Sequence, residues 1–150
     1  MEKTLILLKP DTIQRGLIGR IIARFEDKGM TICGIKMMNL SKKLLDEHYA
    51  HVSDKPFYPG VVKFMQSTPV IVLCVKAQDA IAQVRKILGA TNCRQAENGT
   101  IRSDFGNSIA CNLVHASDSA QTAKAEIKRF FKDGETFDYD LLLDQFVYEK

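Results

Sequence analysis

Asn112-Leu113-Val114-His115-Ala116-Ser117-Asp118-Ser119 carries the chain from an apolar run into a helix, and the order of elements on either side is read outward from this junction. Ile109 to Val114 reads as the end of a buried strand. Ser117, Asp118 and Ser119 are strong helix N-cap residues, and the helical pattern Ala120 to Phe131 follows them. His115 is therefore expected where a strand ends and a helix begins, near the positive pole of that helix, a corner that favours anions. An imidazole there can be a base, a metal ligand or a nucleophile; a structural hydrogen-bonding histidine is the plainer reading. Glu126, one to two turns into the helix, has the reach to hold one ring nitrogen and leave the other free.

Upstream of the junction, Ala90 to Ser108 shows little periodicity, and irregular segments of that length inside a compact domain are usually functional. Before it come an apolar strand, Val70 to Val75, and a helix, Ala80 to Leu88, capped by Asp79 and ended by Gly89. At the start of the chain Thr4 to Leu8 is a near-continuous apolar run, as in a strand covered on both faces or central in a sheet, and Pro10 stops it. Gly16 opens a helix from about Leu17 to Lys28 with Ile18, Ile21, Ile22 and Phe25 as its apolar stripe. Thr31 to Met38 is the second strand. A polar helix from about Lys42 to His51, a proline-rich turn from Asp54 to Gly60 and a short helix, Val61 to Met65, precede the third strand. Downstream, Asp138 to Phe146 is a candidate helix in a mixed tail.

The order β α β (α α) β α loop β α predicts an α+β fold, a ferredoxin-like α/β sandwich with a four-stranded antiparallel sheet. A doubly wound parallel sheet is the alternative, but the glycine-rich phosphate loop that usually follows its first strand is absent. Gly29 and Gly34 have the first spacing of a P-loop, yet Ile35 stands where lysine is required.

A length of 150 residues predicts one domain, 1–150. Its 45% hydrophobic and 26% charged residues exclude a disordered chain. Net charge is 21 − 18 = +3, which suits anionic small molecules; without a basic block it argues against nucleic acid as the main partner. Cys33, Cys74, Cys93 and Cys111 lack metal or disulfide spacing, which points to a reducing, cytoplasmic setting. No stretch has the length of a membrane span.

Lys9 ends a strand, Arg85 lies near a helix end, and Thr91 and Arg102 bracket the long segment. Each alone reads as a solvated surface group. Gathered on one rim around His115 they would suit phosphoryl transfer, whose charge needs fixed donors. Phe57, in a stiff Pro-Phe-Tyr-Pro turn, is either a flat exposed face for a nucleobase or a core plug. Tyr49 either reaches the site or packs on the sheet. His48 and His51 lie on an amphipathic helix without a matching acidic or thiol partner and are read as structural.

Lys9-Pro10-Asp11, the run Gln14 to Gly19, His48-Tyr49, Lys55-Pro56-Phe57, Leu88-Gly89 with Thr91-Asn92, Gly99-Thr100-Ile101-Arg102 with Asp104-Phe105, and Asn112-x-x-His115-x-Ser117-Asp118-Ser119 together resemble the nucleoside diphosphate kinase family. The likeness runs from about Thr4 to Glu149. It implies ping-pong transfer of the γ-phosphate of a nucleoside triphosphate such as ATP or GTP to a nucleoside diphosphate through a phosphohistidine on His115. By the same resemblance His115 attacks through Nδ1, its other nitrogen is fixed by a neighbouring backbone carbonyl, and Glu126 with Ser117 holds the geometry. Lys9 and Asn112 meet the ribose 3′-hydroxyl region and Lys9 the transferring phosphate. Arg85, Thr91 and Arg102 hold phosphates, Tyr49 borders the histidine, and Phe57 stacks on the base. Mg²⁺ bridges nucleotide phosphates with help from Asp118. Family members are homo-oligomers, and the tail ending Phe146-Val147-Tyr148-Glu149 resembles the hexameric group, with a tetramer as the alternative.

Departures from the family pattern are Val61 for a leucine on the far side of the base, Ala90 for a glutamate, and Cys93 and Asn98 for prolines. Proline would restrict the unfolded loop, so these last two predict weaker subunit contacts or lower heat stability. Two other classes remain: a regulatory protein of the same fold that binds nucleotide or nucleic acid, and a histidine-dependent hydrolase that releases phosphate to water.

Overall fold

The computed structural model describes residues 1–142 and 144–149. Four strands, Glu2–Leu8 (β1), Thr31–Met38 (β2), Val70–Ala77 (β3) and Val114–Ala116 (β4), form one sheet in the order β2-β3-β1-β4. Every neighbouring pair is antiparallel. Strand β3 lies between β1 and β2, and β1 between β3 and β4, so both helical crossovers skip a strand, the ferredoxin-like arrangement. The helices are Pro10–Gln14 (α1), Ile18–Asp27 (α2), Lys42–His48 (α3), Tyr58–Met65 (α4), Ala80–Leu88 (α5), Ile101–Phe105 (α6), Ala120–Phe130 (α7) and Asp144–Val147 (α8).

Side chains alternate across a strand, and the two central strands are apolar throughout Leu5–Leu8 and Val70–Val75 because both faces are covered there. Ile6 and Leu8 of β1 with Leu73 and Val75 of β3 pack against Ile21 and Phe25 of α2 and Val84 and Leu88 of α5. Leu5 and Leu7 with Val72 and Cys74 pack against Leu45 of α3, Met65 of α4 and Phe130 of α7. Each such burial stabilises by up to about 1.5–3 kcal/mol, enough to favour the strand over any half-wet alternative.

Several expected boundaries move. The fourth strand is not Ile109 to Val114 but Val114–Ala116, with Ile109 62% exposed. His115 therefore sits inside a strand, opposite Leu7, instead of after one. The long segment from Ala90 contains a 3₁₀ turn at Cys93–Gln95 and helix α6, both capped by local side chains that its weak periodicity concealed. Pro10 starts helix α1 as well as ending β1, since a first-turn proline needs no N–H partner. Helix α3 stops at His48, three residues early, and α4 begins at Tyr58. Asp79 precedes α5 in the left-handed region and caps nothing with its side chain; the Ile81 N–H donates to Glu2 Oε2 instead, at 3.1 Å.

In the tail, Asp138 to Phe146 is helical only from Asp144, and Leu143 lies outside the described residues. Asp138 and Asp140 instead accept from Lys76 Nζ at 2.9 and 3.1 Å. The Phe137 N–H and Tyr139 hydroxyl donate to Cys33 O and Ile32 O, where β2 bulges. These anchors hold the segment extended along the edge strand.

Thr100 N donates to Glu97 O at 3.2 Å across Asn98-Gly99, and Gly99 has φ +87°. This is a type II turn, whose second position, here Asn98, suits proline. Asn98→Pro is expected to stabilise by about 0.4–1 kcal/mol and raise the melting temperature by about 1–4 °C. An unchanged or lowered melting temperature in a thermal scan would count against the loose-loop reading of this departure.

Candidate active site

The site begins with a strained turn. Leu113 has φ +71°, and Val114 N donates to Asn112 O at 2.8 Å, closing a γ-turn of the rare kind. Such strain persists only where the surroundings over-determine it, and three groups next to β1 do so. Lys9 N and Thr12 Oγ1 donate to Leu113 O at 2.8 and 2.7 Å, while Leu113 N donates to Asp11 Oδ2 at 3.0 Å. The turn sets Asn112 above the end of β1 and starts β4 in the register that aligns His115 with Leu7.

Helix α7 supplies the partner. Ser119, not Ser117, is its N-cap, accepting from Thr122 N at 3.1 Å. Ser117 is fully buried and donates to Glu126 Oε2 at 2.5 Å, and Glu126 Oε1 lies 3.0 Å from His115 Nε2. Burial pushes the Glu126 carboxyl up, but the His115 hydrogen bond and charge, then Ser117, more than offset it, and the group is held below the usual carboxylate range. An ionised carboxylate only accepts, so His115 Nε2 carries a proton, and in the neutral ring Nδ1 is the nitrogen that keeps its lone pair. This replaces the backbone carbonyl expected from the resemblance: a charged acceptor makes the stronger bond to an imidazole N–H.

His48, read from sequence as structural, belongs to the same cluster. Its ring stands edge-on to that of His115, centroids 4.8 Å apart, and its Nδ1 is 3.6 Å from Glu126 Oε1. Burial first, then the neighbouring His115, pulls its pKa down to about 3, so the pair with Glu126 is not ionic. Arg129 Nη1 lies 3.4 Å from the same Nδ1, and a guanidinium can only donate; Nδ1 therefore holds a lone pair. Its place on the buried stripe with Leu45 was legible; an acid 78 positions away in the chain (126 − 48) was not.

Cations converge from the ends of other elements. Lys9 Nζ donates to Asn112 Oδ1 at 2.7 Å, and Asn112 Nδ2 to Thr91 O at 3.0 Å. Burial and then the Arg102 charge bring the Lys9 pKa down to about 8. Arg102 spends three donors on carbonyls: Nε to Asn112, Nη1 to Gly89 and Nη2 to Val114, at 3.2, 2.9 and 2.6 Å. It staples the end of α5, the γ-turn and β4 together, a use its surface-like sequence context hid. Gly89, at φ +83°, admits no side chain, since a Cβ would strike Thr100. Tyr49, next in the chain after α3, has its hydroxyl pushed up to about 12 by burial and then Glu126, and stays a donor.

A cleft of about 790 Å³ is lined by Lys9, Tyr49, Arg85, Thr91, Arg102, Asn112, His115, Asp118 and Glu126, with His48 and Arg129 besides. Ser117 supports it from behind. Phe57 does not line it; the residue is 59% exposed, so the core-plug reading fails. Val61 is half-buried against the second core cluster. Asp118 lines the cleft with no hydrogen bond or ion pair among the described residues. No described helix is long and apolar enough to cross a membrane.

The nucleoside diphosphate kinase family model matches residues 2–136. A nucleoside diphosphate kinase of Parabacteroides distasonis is 55% identical over 141 residues, covering 94% of this chain and 92% of that protein. One from Pyrococcus abyssi is 49% identical, covering 97% and 93%. Among solved structures, a halophilic nucleoside diphosphate kinase from Halobacterium salinarum in complex with CDP superposes with a TM-score of 0.96 at 44% identity, covering 99% of each chain.

Proposed function

Because the chain belongs to the nucleoside diphosphate kinase family, we propose that His115 is the group through which it passes phosphate between nucleotides. The carrying observation is the His115 Nε2–Glu126 contact of 3.0 Å, which leaves the Nδ1 lone pair free beside a cleft rimmed by Lys9, Arg85 and Arg102. Nδ1 attacks the γ-phosphorus of a nucleoside triphosphate, the bond to the β-phosphate oxygen breaks, and the diphosphate leaves. A terminal oxygen of a second diphosphate then attacks the same phosphorus and the P–N bond breaks. No proton need move, because Nε2 keeps its hydrogen and the Glu126 charge offsets the cationic ring.

Lys9 and Asn112 are assigned to the 3′-hydroxyl region and Lys9 to the transferring phosphate; Arg85, Thr91 and the uncommitted N–H groups of Arg102 take the other phosphate oxygens. Tyr49 borders the histidine. Phe57 stacks on the base with Val61 on its far side, and an aromatic face reads no base edge, which suits broad specificity. Support for a nucleoside diphosphate as ligand comes from the CDP in the Halobacterium relative. Mg²⁺ when bound would neutralise charge on the nucleotide phosphates; Asp118, which lines the cleft unpaired among the described residues, is the carboxylate that would hold it, Glu126 being engaged with His115 and Ser117. The reading extends to a single domain over 1–150, a homo-oligomer of hexameric type with a tetramer as alternative, and a cytoplasmic setting.

The test is incubation with γ-labelled ATP and Mg²⁺, removal of nucleotide, and a chase with GDP. Acid-labile label that moves to GDP supports the carrier; label draining to inorganic phosphate favours a hydrolase, and absence of label leaves a binding protein.

A pH dependence follows from Lys9. Its folded pKa of about 8 means that the ammonium is present below that pH and lost above it, so kcat/KM, which reports the free enzyme, is expected to fall above about pH 8. Lys9→Arg, whose charge persists, should remove the alkaline limb at a lower plateau. A wild-type profile flat to about pH 10, the ordinary lysine range, would overturn this.

A further inference from the structure

We propose that His48, His115 and Glu126 form a site for a borderline-soft divalent cation of the zinc class, and that its occupancy silences His115. The three side chains come from α3, β4 and α7, with one ligand atom of each within 4.8 Å of the others. Two imidazoles and a carboxylate are a known zinc donor set that leaves a fourth position open, here toward the cleft. Tetrahedral bonds of about 2.0–2.1 Å separate neighbouring ligand atoms by about 3.3 Å. Glu126 Oε1 lies 3.0 Å from His115 Nε2 and 3.6 Å from His48 Nδ1, one on each side of that spacing.

The chemistry of the contacts points the same way. His48 Nδ1 and Glu126 Oε1 face each other with a lone pair on each and no hydrogen between them, and a cation satisfies both. His48 Nε2 is buried with no hydrogen-bond partner among the described residues, so only edge-on packing with Tyr49 and Phe130, and no hydrogen bond, fixes that end of the ring. Arg129 is the opposing charge: its Nη1, 3.4 Å from His48 Nδ1, has to give way, while its Nε remains on Glu47 at 3.1 Å. Mg²⁺ prefers oxygen ligands and keeps its waters, so it does not compete for this imidazole-rich pocket.

Silencing follows from tautomerism. Today His115 Nε2 donates its hydrogen to Glu126. A metal takes the Nε2 lone pair, which in a neutral ring moves the hydrogen to Nδ1. The nitrogen that would attack phosphorus then has no lone pair to offer. This half rests on the phosphohistidine reading; the binding half does not.

The experiment titrates Zn²⁺ into the metal-stripped full chain without nucleotide, with Co²⁺ as the spectroscopic probe. One equivalent should bind, with ring-nitrogen NMR shifts at His48 and His115 and none at exposed His51, and no thiolate-to-cobalt charge-transfer band. His48→Gln should weaken binding at least about tenfold. If that variant fails to fold, the wild-type shifts decide alone. Unshifted His48 and His115, binding unaffected by His48→Gln, or a thiolate band would overturn the site. Preloaded Zn²⁺ should block labelling from Mg-ATP, and a soft-metal chelator should restore it. Labelling unaffected by bound Zn²⁺ would overturn silencing. Label that never forms even without zinc would remove the phosphohistidine reading and leave the site intact.

Discussion

His115→Gln is expected to leave no acid-labile phosphoenzyme and to lower phosphate transfer by on the order of 10⁴-fold or more, as deletion of a covalent nucleophile does. Glutamine can still donate a hydrogen bond toward Glu126, so the fold around the cluster should survive; His115 is partly exposed and plugs no core. The contrast variant is Glu126→Gln. Its amide keeps an oxygen for His115 Nε2 but turns an NH₂ toward Ser117, removes the negative charge and weakens selection of the Nδ1 lone-pair tautomer. A loss of about 10²-fold is expected there, in the range of orientation and charge effects, with phosphoenzyme still forming slowly. Labelling and steady-state rates on both variants check this. A His115→Gln protein that still transfers phosphate would move the nucleophile elsewhere in the chain.

Arg102→Lys is the second large effect, and it should appear in stability as much as in nucleotide affinity. The guanidinium answers three backbone carbonyls, those of Gly89, Asn112 and Val114. An ammonium on a flexible stem reaches one of them at best; Asn112 O keeps the Val114 N–H, but one of the other two loses its partner, and a carbonyl left unpaired in a buried setting costs about 1–3 kcal/mol. A loss of about 1–3 kcal/mol is therefore expected, read as a lower urea midpoint at unchanged slope. Weaker ADP binding should accompany it, since the same residue faces the cleft. An unchanged midpoint with weaker ADP binding would make Arg102 a phosphate ligand only.

The strand interiors were legible because burial on both faces forces apolar residues at every position, and Thr31 to Met38 is found with the expected limits. The ends were not. Where a strand stops is decided by what its backbone meets, and at β4 that is the γ-turn at Leu113, held by Asp11 and Thr12 from a hundred positions away. The helix Ile101–Phe105 escaped notice because a Thr100 cap and one turn leave too short a periodic pattern.

The sequence by itself determined the element order, the α+β class, the central apolar strands and that Glu126 lies within reach of His115, since those follow from periodicity and from separations within one strand–helix unit. Only the tertiary structure decided that Glu126, not a carbonyl, orients His115, that His48 joins them, that Arg102 is a staple, and that Phe57 stands outside the cleft. These facts depend on side chains from different elements meeting across the sheet, and no local pattern in the chain records such a meeting.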